Sequence, residues 1–216
     1  MGAMVRSLPF IVSAAAILCI SGCSAPQISN LDSAGKGIVC FGNSITSGAS
    51  AEGGDDYPAQ LGRLLGRGVV NAGVPGDTTD TALARLGDVL QAHEPYLVIV
   101  ELGGNDFLNR VPKEETLKNL EAIITMIQSA GAMTALCDVS SGFLFSGYRA
   151  DYKKLARTTG SVLIPGLLRG ILENPSLKSD QIHPNARGYA IIAGRVHQVI
   201  RRYVKQANPI QQGGTE

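Results

Sequence analysis

The sequence predicts an α/β protein, a three-layer α/β/α fold around a five-stranded parallel sheet. Three observations carry this expectation. Short β-rich runs alternate with helical stretches from Gly37 onward. The helical stretches place apolar residues at three- and four-residue spacing, the period of a helix with one buried face. No internal repeat, low-complexity tract or second-domain linker interrupts the alternation. Strands that alternate with helices make a parallel sheet covered on both sides, joined by right-handed crossovers.

The chain opens with a segment outside that fold. Arg6 supplies a positive charge, and Leu8 to Ile20 form an apolar run too short to span a bilayer as a mature helix. The run ends in Ile20-Ser21-Gly22-Cys23, which resembles a bacterial lipobox, where a signal is cut before a cysteine that then carries lipid. Residues 1–22 are therefore expected to be a lipoprotein signal peptide and Cys23 the lipidation site. N-myristoylation does not fit, because Arg6 stands where Ser or Thr is needed. Ser24 to Lys36 is small and polar and reads as a tether. The domain proper is expected over residues 37–206, with a flexible tail over 207–216.

Five strands are expected in order: Ile38–Phe41, Val69–Asn71, Tyr96–Leu102, Met133–Val139 and Ser161–Ile164. Leu83, Leu86 and Leu90 mark one intervening helix; Leu117, Leu120, Ile124 and Ile127 mark another. A last helix runs from about Ala186 to Gln206, with Ile192, Val196, Val199 and Tyr203 on one face. Of the four cysteines, Cys19 leaves with the signal, while Cys40 and Cys137 fall in apolar strand runs as small buried hydrophobes. Neither has metal-ligand spacing to another cysteine or histidine, so no metal and no cofactor is expected. Loss of Arg6 with the signal brings the 19 basic residues level with the 18 acidic ones. That balance points to no nucleic-acid partner and no electrostatic hold on a membrane, leaving the lipid as the only membrane anchor.

In such a sheet, ligands bind beyond the carboxyl ends of the strands. "FGNSITSG" follows the first strand and brings Ser44. "NAGVPGDTT" follows the second, with Gly76 immediately before a helix. "LGGND" follows the third, with Asn105, and "SDQIHPN" precedes the last helix, with Asp180 three residues ahead of His183. A carboxylate at that spacing can accept the Nδ1 proton of the imidazole across a tight turn, freeing Nε2 as a base. On that stretch alone a helix entry with a solvated turn histidine is the better reading, since turns rich in Asp, Pro and Asn are common. A serine, a glycine amide, an amide side chain and an Asp/His pair on one rim are together the equipment for acyl transfer.

These four segments resemble the signature blocks of the SGNH, or GDSL-type, serine hydrolase superfamily, in the same order and over about Gly37 to Tyr203. "VVNAGVPGDTTDTALARL" and "LVIVELGGND" are most similar to its thioesterase, lysophospholipase and arylesterase branch. The resemblance implies a flavodoxin-like fold and a serine esterase acting on acyl esters or lipids. It makes Ser44 the nucleophile, His183 the general base and Asp180 its orienting acid. The backbone N–H groups of Ser44 and Gly76, with the Asn105 side chain, become the oxyanion hole. Two residues depart from the pattern: Asn43 stands where Asp is usual, and Gln181 where glycine is frequent. Asp106 is expected to be structural; His93 and His197 belong to a helix end and a helix face. Phe143 and Phe145, in "SSGFLFSGY" after the fourth strand, are candidates for the acyl groove. Two other functions stay open: an O-deacetylase of envelope carbohydrate, and a non-catalytic envelope lipoprotein of the same fold.

Overall fold

Every residue of β3 (Pro95–Glu101) and β4 (Met133–Cys137) is buried, as central strands covered on both faces must be. They belong to one parallel sheet with β1 (Gly37–Gly42), β2 (Val70–Gly73) and β5 (Val162–Ile164), in the order β2-β1-β3-β4-β5. The computed structural model from which this is read describes residues 1–2, 27–141 and 146–204. Among them are seven α-helices: α1 (Ser44–Ser47), α2 (Tyr57–Leu65), α3 (Thr79–His93), α4 (Gly104–Leu108), α5 (Lys113–Ser129), α6 (Arg149–Thr159) and α7 (Ala186–Ile200).

Strand order and crossover hand fix the layers. The step from β1 to β2 runs one way across the sheet, and every later step runs the other way. Right-handed crossovers therefore put α2 on one face and α3, α5 and α6 on the opposite face. The packing agrees: α3 contacts α5 and α5 contacts α6, while α7 returns to lie on α2. The reversal falls between β1 and β3, so the switch point opens beside the carboxyl end of β1, where Ser44 lies.

Several boundaries differ from the sequence expectation, each for a local reason. β4 stops at Cys137 because the Asp138 side chain turns the chain, accepting from the Ser140 N–H at 2.9 Å. The last helix stops at Ile200, the end of its buried stripe; Arg201 and Arg202 beyond it are exposed. The described part of Ser24–Lys36 is docked on the domain rather than hanging as a tether. The Ser29 N–H donates to the Gly160 carbonyl at 2.9 Å, the Asn30 amide to the carbonyls of Gln128 and Ala132, and the Lys36 N–H to that of Glu94. Cys23, the signal segment and the 207–216 tail lie outside the described residues. No helix among the described residues is long and apolar enough to cross a membrane.

Cys40 and Cys137 are both free and fully buried. Cys40 aligns with Ile99 of β3, and Ile99 with Ala135 of β4, so a whole strand separates the two cysteines. Two spacings of about 4.8 Å put their backbones near 10 Å apart, beyond disulfide reach. Burial pushes both thiols far up, away from the reactive thiolate. Both should resist alkylation in the folded protein and react together once it is unfolded. A disulfide between them in intact-mass analysis would contradict this strand order.

Candidate active site

The turn that carries Ser44 is built by its neighbour. Asn43 ends the β1 run as the N-cap of α1, its side-chain oxygen accepting from the Ile45 N–H at 2.9 Å. This places Ser44 at the first position of a one-turn helix, with its side chain facing the rim rather than the core. The Gly48 N–H closes the turn onto the Ser44 carbonyl.

The Asp180–His183 turn is organised by one carboxylate working from both oxygens. Asp180 Oδ1 accepts the backbone N–H groups of Ile182 and His183 at 2.8 and 2.9 Å. Its Oδ2 stands 2.7 Å from His183 Nδ1. The bond to His183, helped by the two backbone donors, holds the Asp180 carboxyl at about 2, well below the usual carboxylate range. An ionised carboxylate can only accept, so Nδ1 carries the proton and Nε2 is the acceptor. That Nε2 lies 3.0 Å from Ser44 Oγ. The three-residue spacing in the sequence is thus the span of a turn whose acid caps its own backbone and still reaches the ring. Asn185 braces the turn from behind: it caps α7 and donates to the carbonyls of Ser176 and Lys178.

Asn105 sits on α4 and lines the same cavity as Ser44 and His183. One N–H of its amide donates to the Asp77 carbonyl at 2.8 Å, which orients the group and leaves the other hydrogen for a ligand. Gly76 lies on the adjoining loop at φ +89°, a conformation glycine adopts without strain. It is not immediately before a helix: α3 begins at Thr79, with Thr78 as its N-cap, because the Thr78 and Thr81 side chains close a reciprocal cap there. Gly76 is also absent from the cavity lining, as is Asp180, whereas Ser44, Asn105 and His183 are present. Phe143 and Phe145 lie outside the described residues.

Residues 40–191 match the GDSL-like lipase/acylhydrolase family. The chain belongs to that family. It is similar to an arylesterase from Vibrio mimicus, 30% identical over 188 residues that span 82% of this chain and 94% of that one. It is similar also to thioesterase 1/protease 1/lysophospholipase L1 of Escherichia coli (strain K12), 31% identical over 164 residues, 72% of this chain and 79% of that one. Among solved structures, TesA superposes with a TM-score of 0.74 at 24% identity, covering 78% of this chain and all of the other, which shows the shared fold. As a family member, this acylhydrolase is an enzyme that cleaves ester bonds.

Its site depends on residues that motif reading passed over. Arg85, half-buried about two turns into α3, reaches back to the rim. Its Nε donates to Asp77 Oδ2 at 2.7 Å, and its Nη2 to the carbonyls of Gly42 and Ala72 at 3.1 and 3.0 Å. Its guanidinium also stacks 4.4 Å over the Phe41 ring. One side chain therefore ties the ends of β1 and β2 to the loop that carries Gly76. Asp106 performs a parallel task as expected, fully buried and accepting from the N–H and hydroxyl of Thr79 at the start of α3. An arginine eight residues after an acid was the sequence signal for the Arg85 link, but its carbonyl partners could not be read from spacing. Arg85→Met would leave Asp77, 7% exposed at its side chain, without its cation. Loss of one partner of a buried pair costs roughly 3 kcal/mol, so the urea midpoint should fall with little change in slope.

Proposed function

We propose that this acylhydrolase cleaves fatty-acyl or small acyl esters, through an acyl-enzyme formed on Ser44. The observation that supports it is the unbroken run from Asp180 through His183 to Ser44, at 2.7 and 3.0 Å, opening into an apolar cavity. Ser44 Oγ attacks the acyl carbon while its proton passes to His183 Nε2. Asp180 holds the ring and stabilises the imidazolium that results. The oxyanion is taken by the N–H groups of Ser44 and Gly76 and the free hydrogen of the Asn105 amide. His183 then returns the proton to the leaving oxygen or sulfur, and water repeats the cycle to release the acid.

The cavity supports an acyl substrate. It measures about 270 Å³ and is walled by Phe107, Leu108, Val139, Leu168, Leu172 and Ile182 beside the catalytic groups. Leu168 and Leu172 come from the connection between β5 and α7. The proposal includes an address: export by the N-terminal signal and anchoring by lipid on Cys23, in a bacterial envelope. That address sets cytoplasmic acyl-CoA aside and fits lysophospholipids or acylated envelope components.

Ser44→Ala should abolish turnover and fluorophosphonate labelling while leaving the fold intact. Asp180→Asn should lower kcat by roughly 10⁴-fold, and Asn105→Ala by about 10²–10³-fold. Labelling that persists in Ser44→Ala would remove Ser44 as nucleophile. A chain-length series tests the substrate class separately. Each methylene the cavity buries contributes about 0.8 kcal/mol, or roughly fourfold in kcat/KM. The series should rise to a plateau, and Leu172→Phe should bring the plateau to shorter chains. A preference for acetyl that collapses with every added carbon would favour an O-deacetylase instead.

A further inference from the structure

Among the described residues lining the cavity, one buried acid is not used by the mechanism above. Glu101 closes β3, is 1% exposed, and lines the same cavity as Ser44. Its Oε1 accepts from the Asn43 amide at 3.4 Å and its Oε2 from the Thr46 hydroxyl at 3.0 Å. Both of its side-chain donors therefore belong to the two residues that bracket Ser44 and Ile45. The approach is so close that Gly42 has no room for a side chain: a Cβ there would collide with Thr46 Oγ1 and the Glu101 carbonyl.

We propose that Glu101 is the positioning residue of the nucleophile turn, and that Asn43 supplies the amide that lets it hold the turn with or without its proton. The inference rests on Ser44 as nucleophile. When Glu101 is ionised, the amide and the Thr46 hydroxyl both donate to it. When it is protonated, Oε2–H donates to Thr46 Oγ1, which turns to donate to Tyr57 Oη, 3.2 Å away and also buried. Asn43 needs no change between the two states, because its oxygen serves the Ile45 N–H and its nitrogen serves Glu101. An aspartate at 43 would offer two acceptors, and two carboxyls at that distance must share a proton.

Burial pushes the Glu101 carboxyl up to about 8, against the opposing pull of the Thr46 and Asn43 donors. Groups that sense its charge are Tyr57 on α2, Tyr152 on α6, Tyr189 on α7 and Cys137 on β4; burial drives each of these upward, so they stay neutral while Glu101 titrates. His183 and Asp180 share the cavity rim and are common to every variant below.

The sign for stability follows from the raised value. The folded state binds a proton that the unfolded chain has released above about pH 4.5, so stability is fully present below that pH and declines as pH rises to about 8. Melting of the full chain in Glu101→Gln should lose this decline over that interval, since Gln mimics the protonated acid. Glu101→Ala should lower kcat by about 10–100-fold, the usual cost of a displaced reacting group, with KM little changed, and Glu101→Gln should recover most of it. Asn43→Asp should gain an alkaline loss of activity and of Ser44 labelling between about pH 7 and 10, where the shared proton leaves. Adding Glu101→Gln should remove that loss, because the Gln amide can donate to Asp at position 43. Equal melting slopes in wild type and Glu101→Gln, or an alkaline limb that survives in the double variant, would overturn the proposal. The melting measurement does not depend on catalysis, so it stands even if Ser44 labels in neither form, an outcome that would sink the nucleophile assignment instead.

Discussion

An all-parallel sheet buried on both faces leaves one place for polar chemistry, and the rest of this molecule follows from that constraint. Helices cover the strands of β3 and β4 so completely that every one of their residues is buried. A side chain that must meet substrate can then emerge only where the strands end. The amino ends are closed off in part by the segment at 29–36, which bonds to the domain body through Ser29, Asn30 and Lys36. The carboxyl ends remain, and Ser44, Gly76, Asn105 and the Asp180–His183 turn are all set there.

Loops that leave a buried sheet carry backbone groups that need partners, and here acids at the strand ends provide them. Asp138 beyond β4 accepts the N–H groups of Ser140 and Gly166. Asp106 beyond β3 accepts from Thr79 across the gap to α3. Asp77 beyond β2 is bound by Arg85, which also donates to the Gly42 and Ala72 carbonyls of β1 and β2. Glu101 accepts from the Asn43 amide and the Thr46 hydroxyl, on either side of Ser44 and Ile45. Each acid crosses to a loop other than its own or bends its own chain, so the rim is held as a connected ring rather than as separate turns. Rigid placement of this kind is what a reacting serine and an oxyanion donor require, since their alignment must precede the chemistry.

The sequence made the repeating parts legible and left the long-range parts dark. Alternation and helical period located all five strands because burial on two faces imposes a pattern on consecutive residues. The Asp180–His183 pair was readable for the same reason, as both members lie in one turn and their spacing is itself the geometry. Arg85 was hidden because its partners Gly42 and Ala72 act through carbonyls, which carry no sequence signature. Glu101 was hidden because an acid within an apolar strand run looks like the strand's end. Leu168 and Leu172 escaped notice because they lie on an irregular connection with no period to betray a buried face. The 29–36 segment has the composition of a tether and yet docks, because polar residues serve equally well to hydrogen-bond a domain as to meet water.

Asn43 shows how composition and environment have to be read together. Taken as a letter, it is a departure from the aspartate usual beside the nucleophile, and it raises the question of whether the site is intact. In place, its two ends do different work: the oxygen caps α1 and the nitrogen meets Glu101. A carboxylate could serve the first contact only, because it has no hydrogen to give a second acid unless it is protonated. The amide therefore fits a turn that sits on a buried glutamate, because it serves both contacts at once.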